Sequence, residues 1–437
     1  MLLNASARGR FARLALAASA AWLTAASPSF AQTRGAPSPR PAPAATPGSP
    51  APPSSPSSPS EGDDVVDVDG MVRSLPRAVV VPADAASDAS ARELAKLVAL
   101  PGLVATAVLK PGSPAGGLVV RVTAVREGDG ERIEAVSSKT EGSPHRRSIT
   151  IGRGASRPLE TARLADAVIA DLTGERSHLS GSLLFTDASV LGERRVRVML
   201  GSGAPLRDAS PGEGMLARGA DLGPGGVVYY AGARPGDMMQ IYAEGKATPL
   251  AVRVPGFLQS VTFSPDRLRA AVIAGATDAG TLYRGLLEGR MERVDTGAGV
   301  ALSPSFGPSG ELAWAAGPSA GPLRVFVDGK AVTPAGVWAS APSFCPKAGK
   351  RRLAYMVKQG NSWSTSIQNL DGGGVAMVGE GAYPVCSPDG RTVALVRGGK
   401  NGGITLTGED GVASHRVRAG EASGLRWAPG PSLPPEG

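Results

Sequence analysis

The sequence has few of the residues that most often carry catalysis or hold metal ions. Its 437 residues include 2 cysteines, 3 histidines and only 4% aromatic residues. His145, His178 and His415 stand apart, without metal-ligand spacing and without a His-Glu-x-x-His sequence. There is no Gly-rich phosphate loop. We therefore expect no catalytic residues, no metal site and no cofactor, and we interpret the protein as a non-enzyme.

Strong charge of one sign is also lacking. The formal net charge is +8, and Arg8, Arg10 and Arg13 at the N-terminus contribute three of these charges. No block of Lys and Arg alternates with aromatic residues. A nucleic-acid partner is therefore not predicted.

Long apolar runs are absent except for one near the N-terminus. The run from Leu14 to Ala26 has 13 residues, fewer than the roughly 20 that a membrane span needs. It follows a basic start and precedes the small residues Ser29 and Ala31, a pattern typical of a secretory signal peptide. We predict that residues 1–31 form a signal peptide cleaved near Ala31, and that the mature chain has no transmembrane segment.

Export permits disulfides, but two cysteines do not make a disulfide framework. Cys345 and Cys386 occupy positions that differ by one within equivalent apolar strands. Successive side chains of a strand point to opposite faces. We therefore expect two buried free thiols that face apart.

Two regions follow the signal peptide. Residues 32–64 are rich in Pro, Ala and Ser without apolar periodicity, which predicts a disordered spacer. Residues 65–178 alternate short apolar strands with two helical patterns and predict a small α/β domain, with His145 in a polar loop. Its second helix extends from Arg157 to Gly174, because Pro suits a first helical turn and Gly a left-handed stop.

Residues 179–430 contain a repeated pattern. Apolar runs begin 40 to 44 residues apart, at Leu183, Val227, Ala270, Leu312, Leu353 and Val393. Most follow a turn phrase such as FSPDR or CSPDG, in which Pro and Gly favour a turn between two strands. A period near 40 indicates a β-propeller, and six runs predict six blades.

The two ends of this region complement each other. The run at Leu183 has no turn phrase before it, and the strand around Leu425–Trp427 has no partner after it. We predict that this C-terminal strand pairs beside Leu183–Thr186 and closes the ring, which removes a free sheet edge. Residues 431–437 are then a tail. Asp266 and Asp389 of the turn phrases are interpreted as turn formers.

Several motifs resemble the TolB family, the periplasmic propeller proteins of the Tol–Pal system. The helix reads TARLADAV from Thr161 and ends in Leu172-Thr173-Gly174. The family pattern is Ala-His-x-Ile-Ala-Asp-x-Ile followed by Leu-Thr-Gly, and Ala162 replaces its His. LSGSLLF leads into the first blade and RWAPG ends the last strand, as in the family. The resemblance covers about Arg77 to Gly430.

The resemblance implies a non-enzymatic periplasmic scaffold. Such a protein binds a Pal-like peptidoglycan-associated lipoprotein at the propeller mouth and supports outer-membrane integrity and cell division. TolB-like proteins also contact a TolA-like inner-membrane protein through an N-terminal segment that is not recognisable here. Either the spacer with Asp63–Asp69 takes this role, or the partner is absent.

The resemblance also places partner-binding residues two to four positions before the aromatic residue of the turn phrase. These positions are Gln259, Ser260, Leu302, Ser303, Ser340, Ala341, Ala382 and Tyr383. Most are small, so an alternative is that they only pack between blades. An alternative function is an exported propeller that binds a peptide, glycan or small ligand in its central channel.

Overall fold

The computed structural model describes residues 75–434, except 112–116, 140–141, 191–192, 212–213, 276–279, 298, 348, 400–401 and 412–413. The predicted signal peptide, the spacer and the acidic segment Asp63–Asp69 lie outside these residues. Within the described part of the chain, no helix has the length and apolar character needed to cross a membrane.

A small α/β domain comes first. Its elements are β1 (Arg77–Pro82), α1 (Asp88–Ala99), β2 (Ala105–Val108), β3 (Leu118–Glu127), β4 (Gly130–Ser138), β5 (His145–Ile151) and α2 (Arg157–Thr173). The sheet order is β2-β1-β3-β4-β5, with β1 parallel to β2 and β3 and the other pairs antiparallel. Both helices pack on this sheet and on each other.

The helix α2 has the predicted ends. Pro158 lies in its first turn, and Gly174 has a φ of 79° while its N–H donates to the carbonyl of Ala170. Leu164 and Val168 are fully buried in the domain core. The α2 prediction is therefore confirmed.

The predicted polar loop at His145 is wrong, because this residue begins strand β5. The strand forms the edge of the sheet and pairs only with β4. One face of an antiparallel sheet can remain in water, and an edge strand also has one unpaired edge. Such a strand therefore tolerates polar residues. Ile149 is its one fully buried position, too weak a signal for alternation to be recognised.

Six antiparallel sheets follow, and the prediction of a six-bladed propeller is confirmed. Blade 1 contains β6 (Ser182–Asp187), β7 (Arg195–Leu200), β8 (Pro205–Asp208) and the C-terminal strand β28 (Ala422–Ala428); blade 2 contains β9 (Leu216–Leu222), β10 (Val228–Ala233) and β11 (Gln240–Ala243); blade 3 contains β12 (Phe257–Phe263), β13 (Ala270–Gly275), β14 (Thr281–Gly285) and β15 (Met291–Arg293). Blade 4 contains β16 (Val300–Phe306), β17 (Leu312–Gly317), β18 (Arg324–Val327) and β19 (Lys330–Ala331); blade 5 contains β20 (Ala339–Phe344), β21 (Arg352–Gln359), β22 (Ser362–Asn369) and β23 (Val375–Glu380); blade 6 contains β24 (Ala382–Cys386), β25 (Thr392–Arg397), β26 (Gly403–Gly408) and β27 (Ser414–Ala419).

The innermost strands line the central channel. They are β28, β9, β12, β16, β20 and β24, and each contacts the next around the ring. β28 pairs with β6, with Trp427 opposite Leu183, so blade 1 contains strands from both ends of the repeat region. All innermost strands run in the same direction. We call the end where they begin the start mouth and the end where they meet the turn phrases the turn mouth.

The turn phrases join each innermost strand to the second strand of its blade. The Asp266 carboxylate accepts hydrogen bonds from the Ser264 hydroxyl at 2.5 Å and the Leu268 N–H at 3.0 Å. Asp389 makes the equivalent bonds with Ser387 and Arg391. These carboxylates therefore bind their own turns, as the sequence predicts.

A buried carboxylate connects the α/β domain to blade 1. Asp166 of α2 accepts hydrogen bonds from the Ser177 hydroxyl at 2.5 Å, the Leu179 N–H at 2.8 Å and the Ser180 N–H at 3.0 Å. Burial raises the pKa of Asp166, although these hydrogen bonds oppose the shift. The segment between α2 and β6 is thus fixed by one side chain of the motif that resembles the TolB family.

The expectation of two free thiols is wrong, because Cys345 and Cys386 form a disulfide. Cys345 follows β20 of blade 5 and Cys386 ends β24 of blade 6, with their Cα atoms 5.1 Å apart. Neighbouring blades stack face to face. Side chains that point to opposite faces of their own blades therefore meet in the gap between the two sheets.

Ionic contacts reinforce the junction between blades 5 and 6. Lys347 and Arg352 of blade 5 both pair with Glu409 of blade 6. Burial alone would raise the pKa of Glu409, but the hydrogen bonds from Lys347 and Arg352 lower it. A lowered folded-state pKa stabilises the fold above the unfolded-state pKa, and this contribution is lost as pH falls through the folded-state value.

We expect reduction of the disulfide to lower the free energy of unfolding by about 2–4 kcal/mol, because the bond links residues 41 apart and constrains the unfolded chain. Urea denaturation with and without dithiothreitol measures this difference. A double variant, Cys345→Ala with Cys386→Ala, is the control. Its free energy of unfolding should be the same with and without dithiothreitol. Equal stability of the native sequence in both conditions would contradict the assignment.

Candidate functional site at the mouths of the propeller channel

The innermost strands share a backbone irregularity. Left-handed φ values occur at Gly219 of β9, Ser303 of β16, Ala341 of β20, Tyr383 of β24 and Gly424 of β28. In β12 the register shifts between Leu258 and Ser260, on either side of Gln259. A left-handed conformation is uncommon and costs about 1–3 kcal/mol for a residue other than glycine. Such bulges concentrate at barrel rims and binding sites.

Prolines follow the left-handed residue in three neighbouring blades. They are Pro304, Pro342 and Pro384, and all three are buried. The ladder between β16 and β17 passes from Leu302 to Ser305 across the bulge, which leaves Pro304 unpaired. Proline lacks an N–H, so a bulge is where an interior strand accepts it without losing a hydrogen bond.

The structure places all eight predicted partner-binding residues at or beside these bulges. Ser340 and Ala341 are buried, at 5% and 8% exposure. Gln259, Ser260, Leu302, Ser303 and Ala382 are partly exposed. Tyr383 is the one large side chain of the set that is exposed. The partner-binding role of the eight residues stays a prediction.

Three exposed residues at the start mouth were not predicted. Leu216, Phe257 and Trp338 are 42%, 37% and 37% exposed. Each lies six positions before the last apolar residue of its innermost strand, so they occupy one position of the repeat. This repeated position is the feature of the sequence from which the three residues could have been predicted. With Tyr383, which is 36% exposed, they form a surface that we call the start rim.

Two cations adjoin the start rim. The Lys358 ammonium lies 5.1 Å from the ring centroid of Trp338, and its backbone N–H donates to the Trp338 carbonyl at 2.9 Å. Burial raises the pKa of the Tyr383 hydroxyl, and the positive charge of Arg194 opposes this shift. The phenol is therefore neutral at physiological pH and can donate a hydrogen bond. The rim combines apolar area with positive charge.

The turn mouth contains a cavity of about 320 Å³ to which all six blades contribute. Aromatic side chains form much of its wall, namely Phe263, Phe306, Phe344 and Trp427. Arg426 of blade 1 also lines this cavity, and its Nη2 donates to the carbonyl of Pro304 in blade 4 at 2.9 Å. Blades 1 and 4 are opposite in a ring of six. This side chain therefore crosses the channel between the two mouths.

Side chains that could hold a metal ion do not cluster in the part of the chain that the structure describes. Over residues 75–434, outside the gaps stated above, no cluster of three or more His, Cys, Asp or Glu side chains is arranged to hold a metal ion. Burial lowers the pKa of both His178 and His415. His178 precedes β6 and His415 lies in β27, the outermost strand of blade 6.

These features define a six-bladed β-propeller preceded by a small α/β domain. The chain is similar in structure to TolB from Acinetobacter baumannii, with a TM-score of 0.65 and 16% identity over 81% of this chain and 97% of that chain. At this identity the similarity shows the fold alone. A putative TolB from Agrobacterium tumefaciens has a TM-score of 0.43 and 13% identity over 58% of this chain and 98% of that chain.

An oligogalacturonate lyase in complex with manganese has a TM-score of 0.36 and 12% identity over 54% of this chain and 73% of that chain. No protein-family model matches the sequence, and a search of curated proteins found no match.

We expect Gly219→Ala to destabilise the fold by roughly 2–4 kcal/mol, because it adds backbone strain and overpacking. An added Cβ would lie 2.7 Å from the carbonyl oxygen of Gln259 in the next blade. Gly424→Ala is the matched control, because its φ is 61° and its nearest neighbour would be Thr186 Oγ1 at 3.8 Å. It should cost only about 1 kcal/mol. Equal losses in urea denaturation would disprove the close contact between blades 2 and 3.

Proposed function

We propose that this chain is a TolB-like periplasmic adaptor that binds a Pal-like lipoprotein at the start rim. In this role it supports outer-membrane integrity and cell division and catalyses no reaction. The observation that carries the proposal is the start rim itself. Four large side chains from four blades are exposed around one mouth of a rigid ring.

Exposed aromatic residues are the usual anchors of protein interfaces. Alanine scanning places most binding energy on a few residues, with Trp, Tyr and Arg enriched. The start rim offers Trp338 and Tyr383 as such anchors, with Lys358 and Arg194 as cationic neighbours. Because the rim is fixed by bulges in paired strands, little conformational entropy is lost on binding. A partner with apolar and acidic residues fits this surface.

The proposed location follows from the N-terminal sequence. A basic start, a short apolar run and small residues near Ala31 support export with cleavage. The spacer of residues 32–64 is rich in Pro, Ala and Ser. We assign it, with Asp63–Asp69, the contact with a TolA-like inner-membrane protein. The structural similarity to TolB from Acinetobacter baumannii supports the domain order that this role requires.

The test is titration calorimetry of the purified mature chain with a purified Pal-like lipoprotein from the same organism. Trp338→Ala and Tyr383→Ala should each weaken binding by about 1–3 kcal/mol, roughly 5- to 150-fold. Met377→Ala is the control, because Met377 is 60% exposed on the outermost strand β23. It should leave the dissociation constant unchanged.

Two outcomes would refute the proposal. One is the absence of any binding at micromolar concentrations of both proteins. The other is binding that is unaffected by both rim substitutions in folded variants, which would place the partner elsewhere on the chain.

A further inference from the structure

Arg426 occupies an unusual position for an arginine. Its side chain lies in the channel, where Nη1 donates to the Leu425 carbonyl and Nη2 to the Pro304 carbonyl, both at 2.9 Å. The Nε atom is buried and has no hydrogen-bond partner. Nη1 and Nη2 carry two hydrogens each, and only one hydrogen of each atom is used in a hydrogen bond. The guanidinium therefore meets only neutral acceptors, and each Nη keeps one unpaired hydrogen.

The nearest acid does not neutralise this charge. Asp221 of the adjacent blade accepts hydrogen bonds from the Thr262 hydroxyl at 2.7 Å and the Phe263 N–H at 3.0 Å. A third bond comes from the Leu222 N–H at 2.8 Å. Asp221 acts on Arg426 only at longer range, since no described carboxylate lies within 4.0 Å of the guanidinium. Arginine stays charged in proteins, so a half-buried cation without a counterion remains.

The Arg426 side chain lines the turn-mouth cavity. The volume of about 320 Å³ is at the lower end of small-molecule sites, and such sites combine apolar walls with a few placed polar groups. Phe263, Phe306 and Trp427 supply apolar wall, and Arg426 supplies the charge. Pro265 and Pro308 line the cavity and are exposed, so the cavity reaches the protein surface at the turn mouth.

We propose that the turn-mouth cavity binds a small carboxylate with a compact apolar body, and that Arg426 pairs with the carboxylate through the unpaired hydrogens of its Nη atoms. Arginine presents a planar fork that matches carboxylate geometry. The cavity equals roughly ten water molecules in liquid volume, which fits an acid of about the size of phenylpropionate. The carboxylate supplies the missing counterion. This inference does not depend on the adaptor role, which uses the start mouth.

The test is calorimetry of the full mature chain with two matched pairs of probes. The first pair is 3-phenylpropionate and its uncharged amide; the second is N-acetyl-Gly-Phe with a free carboxylate and the same peptide as the amide. In the pair that binds, we expect the acid to bind at least 10-fold more tightly than its amide. The reason is that the amide cannot form the ion pair with Arg426. Preference for the first acid indicates a free organic acid as ligand, and preference for the second a peptide C-terminus.

Variants locate the site. Arg426→Gln should reduce acid affinity to that of the amide, in a variant shown to be folded by its melting transition. Arg290→Gln is the control, because Arg290 is 86% exposed on blade 3, and it should change nothing. The wild-type comparison requires no variant to fold. Equal affinity of acids and amides, no saturable binding up to millimolar concentration, or an acid preference retained by folded Arg426→Gln would each overturn the proposal.

Discussion

The innermost strands of the six blades lie close together around the central channel. This close approach is the constraint on which the propeller depends. At Gly219 the backbone of blade 2 comes so near to blade 3 that an added Cβ would lie 2.7 Å from the Gln259 carbonyl oxygen. Straight, fully paired strands present a side chain at every position, and such strands would collide at the axis. A bulge bends the strand and turns the side chain aside. The repeated left-handed residues follow from this geometry.

The same constraint creates the two unlike mouths. At the start mouth the bulges leave Tyr383 exposed beside the aromatic residues that begin the strands. At the turn mouth, blades meet through aromatic side chains and prolines around a small cavity. Arg426 crosses the channel between them and bonds to the backbone beside the bulge of blade 4. The propeller therefore has a broad exposed surface at one end and a small open cavity at the other.

The ring is held closed by contacts between residues far apart in sequence. β28 pairs with β6 in blade 1, and a disulfide joins blades 5 and 6. The C-terminal tail lies along α2, where Arg163 donates to the Ser432 carbonyl at 3.2 Å. Glu175, just after α2, pairs with Arg391 in the turn phrase of blade 6. The α/β domain thus stands at the turn-mouth side of the propeller.

The sequence predicted the features that depend on local chemistry. The ends of helix α2 follow from Pro and Gly, and the turn phrases follow from Pro, Asp and Gly at fixed spacing. The period near 40 indicates a propeller, and the six repeats give the number of blades. The sequence does not predict the disulfide, because strand alternation indicates only which face of its own blade a side chain occupies. Cys345 and Cys386 meet in the gap between two neighbouring blades. Trp338 has the signal of a repeated position, but its exposure depends on the bulged backbone. The path of Arg426 to Pro304 spans 122 residues, and no local pattern encodes it.

Hydrogen–deuterium exchange of the mature chain with and without a bound Pal-like lipoprotein tests the central claim most directly. If the start mouth is the docking surface, segments 257–260, 338–341 and 382–385 become protected while the turn phrases exchange as before. Protection confined to the turn phrases, or none at saturating lipoprotein, would contradict the account.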